Sequence, residues 1–282
     1  MSTMSNLISV SELHTRLGEP ERSPVLRLVD VRASLADPQA GRQLYEAGHL
    51  PGAVHLSLDR DLSGPVGEHG GRHPLPDMRV FAETLQRNGI GDDAEVVVYD
   101  DGGMFAARFW WLLRYAGLDR VWVLDGGFSA WAEADLPVTQ AAPNPEPATL
   151  TLRLRPEMIA DMEAVRAGLD DPNVTLIDAR APERYRGEVE PLDKKAGHIP
   201  GAVNKPFTEN LEHGLFKSPE ALRERFADVQ SEVVLYCGSG VSAAHNALAL
   251  EEAGITGAKL YAGSWSDWIS FDENPVATGA ET

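Results

Sequence analysis

One cysteine, Cys237, serves all 282 residues. A lone thiol excludes an intramolecular disulfide, and with no secretory signal a reducing cytoplasm is the expected setting. Basic side chains are scarce too: 25 Lys and Arg stand against 43 Asp and Glu, a formal net charge of -18. Nucleic acid and anionic membrane both require a basic footprint, so neither is an expected partner. No apolar run approaches the roughly 20 residues of a membrane-spanning helix. Residues 1–6 lack the basic start and following apolar stretch of a signal peptide. The length suits two domains of ordinary size, each able to bury a core.

The surroundings of the one cysteine are distinctive. Val233-Val234-Leu235-Tyr236 reads as a buried strand, and Ala243 onward reads as the start of a helix. Between them, Cys237-Gly238-Ser239-Gly240-Val241-Ser242 is a short loop whose glycines let the backbone curl tightly. Such a loop turns its N–H groups inward, and the helix start behind it adds roughly half a positive charge. An isolated cysteine is more often a buried structural residue. At this strand-to-helix junction it reads as a nucleophile.

The chain also repeats itself. Val96-Val97-Val98-Tyr99-Asp100 matches Val233-Val234-Leu235-Tyr236-Cys237 at an offset of 137, and that register continues through Gly126/Gly263 and Trp131/Trp268. Upstream, Gly48-His49-Leu50-Pro51-Gly52-Ala53-Val54 recurs as Gly197-His198-Ile199-Pro200-Gly201-Ala202-Val203. Val29-Asp30-Val31-Arg32 likewise recurs as Ile177-Asp178-Ala179-Arg180. The period is too long for a solenoid and marks a duplicated domain. Asp100 occupies the position of Cys237, so only the second half keeps a sulfur nucleophile.

Strand and helix patterns alternate in both halves, which predicts mostly parallel sheets flanked by helices on both faces. Strands are expected at residues 25–31, 54–56, Glu95–Tyr99 and Val121–Leu124, then at Val174–Asp178, 203, Glu232–Tyr236 and 258–261. Helices are expected at 77–88, 105–116, 128–134, 156–169, 218–227, 243–253 and 264–270. The Pro-rich join, with Pro143, Pro145 and Pro147, predicts a stiff connector. The expected domains are therefore 1–138, inactive, and 156–282, active, with 139–155 as linker. Phe105, Phe109, Trp110 and Trp111 are candidate core or interface residues.

Tyr45-x-x-x-His49-Leu50-Pro51-Gly52-Ala53 and Ala258-Lys259-Leu260-Tyr261-Ala262-Gly263-Ser264-Trp265-Ser266-Asp267-Trp268 resemble the two signatures of the rhodanese family, with Asp267 where Glu is usual. The resemblance covers nearly the whole chain. It implies an α/β fold of two tandem rhodanese-like domains, an inactive first copy, and sulfur transfer through a persulfide on Cys237. It implies a small-molecule sulfur donor and cyanide, thioredoxin or a low-molecular-weight thiol as acceptor, with no metal and no cofactor. Phosphotyrosine-type phosphatases carry Arg six positions after the Cys; here Ala243 stands there, which argues against phosphate.

The neutral loop resembles that of 3-mercaptopyruvate sulfurtransferases, whereas thiosulfate-specific relatives have basic residues directly after the Cys. That similarity puts Ser239 in a Ser-His-Asp relay, with His49 as the candidate histidine and Asp37 as the nearest carboxylate. His198, at the equivalent place in the second half, equally fits a purely structural role for His49. Gly238, Gly240, Val241 and Ser242 are expected to line the anion pocket through their N–H groups. Arg184 is expected to grip the anionic end of the donor. The second substrate arginine of the mercaptopyruvate pattern is absent, with Leu192 in its place. Thiosulfate and 3-mercaptopyruvate both remain open as donors. A persulfide carrier or redox sensor serving a protein partner is the alternative reading.

The first half carries one further departure. Residues 53 to 96 span 43 positions, against 31 for residues 202 to 233, and the surplus lies around the Gly-, His- and Pro-rich stretch 63–74. Long loops of this composition are often functional, and this one is expected at the surface.

Overall fold

The computed structural model describes residues 5–18, 26–230 and 232–280. Val25, at the start of the first expected strand, lies outside them. Two compact units emerge, Met1–Gly64 with Pro76–Arg155, and Pro65–Leu75 with Pro156–Thr282. This division departs from the expected one at two places. The connector 139–155 stays with the first unit, where Thr139 and His49 exchange backbone hydrogen bonds and Ala148, Arg153 and Arg155 donate to Gln86, Ala116 and Tyr115. The segment Pro65–Leu75, carried between strands of the first unit, belongs to the second.

In the first unit, β1 (Leu7–Ile8), β2 (Leu26–Asp30), β3 (Ala53–His55), β4 (Glu95–Tyr99) and β5 (Val121–Leu124) form a sheet of order β1-β5-β4-β2-β3. Every pairing in it is parallel. Strands buried on both faces read as continuous apolar runs, which is why Val96, Val97, Val98 and Tyr99 are all buried. Phe109, Trp110 and Trp111 of the Met104–Ala116 helix are buried as well. The amphipathic helices Val10–Gly18 and Ala40–Ala47 add to the expected set.

In the second unit, β6 (Val174–Asp178), β7 (Val203–Asn204), β10 (Glu232–Tyr236) and β11 (Lys259–Leu260) pair in parallel in the order β11-β10-β6-β7. Between them, β8 (Leu211–Glu212) and β9 (Leu215–Phe216) form an antiparallel hairpin. Tyr185, Ile199, Tyr236, Trp265 and Trp268 share its core. The helix expected over 156–169 divides: Pro156–Met158 is a short 3-10 turn, and Asp161 then caps Met162–Ala167 by accepting from the Ala164 N–H at 2.8 Å. In open parallel sheets ligands bind outside the carboxyl ends of the strands, where the winding direction reverses. Here that place lies between β6 and β10, and Cys237 follows β10 directly.

Candidate active site

The Cys237 loop is held by the helix Ser264–Trp268. Trp265 N–H donates to the Cys237 carbonyl and Ser266 N–H to the Gly238 carbonyl, both at 3.0 Å. Ser264 Oγ accepts from the Cys237 N–H at 3.1 Å. With these carbonyls tied outward, Gly240 N–H donates to Cys237 Sγ at 3.1 Å. Gly240 has φ +77°, and a Cβ there would lie 2.2 Å from the Ala262 carbonyl oxygen. Only glycine fits. Gly238, Ser239, Val241 and Ser242 are buried around the same turn, which feeds the Ala243–Glu252 helix.

Ser239 meets a histidine, and it is His73 rather than His49. His73 Nδ1 lies 2.7 Å from Ser239 Oγ, and both residues are buried. His49 is occupied otherwise: its Nδ1 faces the Tyr45 carbonyl at 2.8 Å, its Nε2 faces the Ala141 carbonyl at 3.2 Å, and its ring stacks on Tyr45. His198 makes the matching contacts in the second unit, with Nδ1 2.7 Å from the Tyr185 carbonyl and its ring stacked on Tyr185. The two histidines thus make matching contacts in the two units, and neither is the partner of Ser239. Asp37 accepts locally from the Gln39 N–H.

His73 arrives on Pro65–Leu75, which is fastened at several points. Gly70 N–H donates to Asp267 Oδ1 at 2.6 Å, and Arg72 N–H to Ser266 Oγ at 3.1 Å. His69 stacks on Phe271, with ring centroids 4.0 Å apart. Asp267, the shorter residue where Glu is usual, also accepts from Tyr261 Oη. The insertion noted in the sequence thus supplies functional candidates that pattern alone did not single out. Its adjacent Arg72 and His73 were the available signal.

Arg184 lies beside the same loop, within a charged cluster after β6. It donates through Nε and Nη2 to Glu190 at 2.7–3.2 Å and through Nη2 to Asp193 at 3.1 Å. Arg180 pairs with Asp178 and reaches Glu190 at 3.4 Å. Burial alone would raise the Glu190 carboxyl, but hydrogen bonds from Arg184 and from the Leu192 and Asp193 N–H groups outweigh it. Glu190 is thereby held below its ordinary value. A site so arranged offers a sulfur nucleophile, a hydroxyl–imidazole pair and fixed cations.

These features define an α/β domain present in two copies, the second of them centred on a thiol, and the chain belongs to the family of the rhodanese-like domain, whose model matches residues 9–134 and 161–271. Among its relatives is a probable 3-mercaptopyruvate sulfurtransferase of Pseudomonas aeruginosa, 45% identical, with 98% of this chain and 99% of that protein aligned. A putative thiosulfate sulfurtransferase of Mycobacterium tuberculosis is 41% identical over 97% of both. The crystal structure of SseA from Escherichia coli, described as a 3-mercaptopyruvate sulfotransferase, superposes with a TM-score of 0.81 at 32% identity. That alignment covers 93% of this chain and all of that one.

Proposed function

We propose that this sulfurtransferase loads sulfur from 3-mercaptopyruvate or thiosulfate onto Cys237 and passes it to cyanide, thioredoxin or a small thiol in the cytoplasm. The Cys237 thiolate attacks the donor sulfur, and a new S–S bond forms as the donor's own bond to that sulfur breaks. Thiosulfate then leaves as sulfite; 3-mercaptopyruvate leaves as the enolate of pyruvate. The acceptor removes the outer sulfur and restores the thiolate. Inward N–H groups of the loop, such as that of Gly240, suit an anion that persists through both steps.

The observation that carries a preference between donors is the 2.7 Å contact of His73 Nδ1 with Ser239 Oγ. Sulfite needs no proton to depart, whereas the enolate must gain one to become pyruvate. A hydroxyl backed by an imidazole is a proton relay, and it favours 3-mercaptopyruvate as the donor. Ser239→Ala and His73→Asn should therefore lower turnover with 3-mercaptopyruvate about 100-fold or more, and with thiosulfate far less. Equal losses with both donors would assign the pair to loop packing. The accompanying control is a mass gain of roughly 32 Da in wild type given donor alone, absent in Cys237→Ser. A protein that only carried persulfide to a partner would instead stop after one sulfur per Cys237.

A further inference from the structure

The two copies differ in how they fill one face of the sheet. In the first, Trp122 of β5 pairs in register with Val97 and packs on the core of Ile8, Leu13, Leu26, Leu28 and Val97, with the Arg16 guanidinium 5.0 Å over its ring. In the second, the residue in that register, opposite Val234, is Lys259. Its side chain turns instead to Glu232, with Nζ 2.6 Å from Oε1. The covering helices correspond too: Ile159 bridges to Leu260 as Leu7 pairs with Val123, and Asp161 caps the turn that Ser9 caps in the first copy. Arg16 thus corresponds to Gly168, Ile8 to Ala160 and Leu13 to Val165, and the strand pairings match Leu26 with Val174. At each of these places the second copy carries less apolar bulk. The result is a cavity of about 90 Å³ between the Met162–Ala167 helix and the sheet, lined chiefly by Ile159, Val165, Leu169, Val174, Leu176 and Val234, with Lys259 and Glu232 also in its wall.

We propose that this cavity is a binding site for a free small molecule bearing one aromatic ring, of phenyl to indole size, which takes the place that Trp122 fills in the first copy. The duplicate supplies the shape, because the same strand register and the same helix close around an indole there. Trp122 reaches its place from β5, whereas Lys259 holds that strand position in β11, so a ring in the second copy must arrive untethered from the sheet. The size agrees: aliphatic voids of roughly 150 Å³ take up benzene, and a cavity of this order is too small for a long acyl chain. The side chains of Lys259 and Glu232 are 36% and 46% exposed, so a polar substituent on the ring can meet them. An exposed ion pair of this kind yields at little cost, and the ammonium can lie over a ring face as Arg16 does over Trp122. Val174, Glu232 and Lys259 each begin their strand, whereas Cys237 follows the carboxyl end of β10. The ring site is therefore separate from the sulfur site and independent of its thiol.

The test is calorimetric titration of the full chain with indole, with methyl NMR to locate it. Wild type should bind one indole with a Kd of about 1 mM or tighter, as expected for burying most of one ring. Ring-current shifts should fall on the methyl groups of Ile159, Val165, Leu169, Val174, Leu176 and Val234. Lys259→Trp and Ala160→Ile each restore bulk found in the first copy; each should weaken indole binding about 10-fold or more and raise Tm by filling the cavity. Should Lys259→Trp fail to fold, Ala160→Ile decides alone. Cys237→Ser should bind indole as wild type does, whatever the sulfur chemistry of the protein. N-acetyltryptophanamide, which carries backbone on both sides of its ring carbon chain, should bind more weakly than indole. Tighter binding of that probe would make a protein side chain the occupant and overturn the free ligand. The site would be overturned equally by no binding at about 10 mM indole, roughly tenfold above the expected Kd. Undiminished binding in the filled variants, or shifts confined to methyl groups outside the cavity, would do the same.

Discussion

Asp100 and Cys237 stand at equivalent ends of β4 and β10, and their surroundings show what the loop is built to hold. The Asp100 carboxylate accepts from the N–H groups of Gly102, Gly103, Phe105 and Ala106 at 2.6–3.1 Å. Burial pushes its carboxyl up, against the pull of those four donors. The first unit thus closes its own anion cradle with a side chain, whereas the second leaves its cradle to a reactive sulfur. Backbone conformation is what both depend on. Gly240→Ala, forced to a positive φ and against the Ala262 carbonyl, should lose about 1–3 kcal/mol of stability in chemical denaturation, with a larger proportional loss in the donor step. Cys237 was legible from its glycines and the apolar run before it, because a strand-to-loop-to-helix junction is local. Ser239's partner was not: His49 and His73 look alike in one dimension, and the contact to Ser239 spans 166 residues.

At the scale of elements, the sequence pattern located β4, β5, β6 and β10 to the residue, because buried parallel strands are unbroken apolar runs between turn residues. It merged the 3-10 turn at Pro156 with the helix that Asp161 caps, since apolar spacing continues through both while the hydrogen bonding does not. There, Ala160 N–H donates across to the Leu260 carbonyl. The Ala243–Glu252 helix, which starts behind the cysteine loop, carries a further consequence. Its His245 is fully buried, accepts at Nδ1 from Asn210 Nδ2 at 3.0 Å, and stacks on Phe216 of β9. Burial, aided by Arg225, pushes its pKa down to about 3. The unfolded chain then binds more protons than the folded one between about 6.5 and 3, so stability is complete above that window and falls as pH drops through it. By pH 5 the loss is about 2 kcal/mol. His245→Gln, which does not titrate, should flatten the dependence of Tm on pH over pH 7 to 5; an unchanged slope would place the titration elsewhere.

For the whole molecule, duplication was readable because the repeated motifs keep their order, and the two sheets share β-strand order around their central strands as a result. Tyr99 and Tyr236 each accept at the hydroxyl from the N–H of the matching residue, Leu50 and Ile199. The eleven-residue exchange of Pro65–Leu75 was legible only as surplus length, since nothing local says where an inserted segment will pack. Replacing residues 66–74 with a Gly/Ser linker of equal length should preserve the far-ultraviolet circular dichroism of both sheets. The donor step with 3-mercaptopyruvate should fall at least as far as in His73→Asn; retained activity would show that the segment is dispensable. The arrangement also sets a birth order for the enzyme. His73 leaves the ribosome 166 residues ahead of Ser239, a delay of about ten to thirty seconds at roughly 5–20 residues per second. β4 and β5 complete the first sheet within that interval, β1 to β3 having preceded it, while their inserted segment waits without the surface it will occupy. An unfinished chain therefore holds a histidine and an arginine with no thiol to serve, and sulfur chemistry begins only once translation has delivered nearly the entire protein.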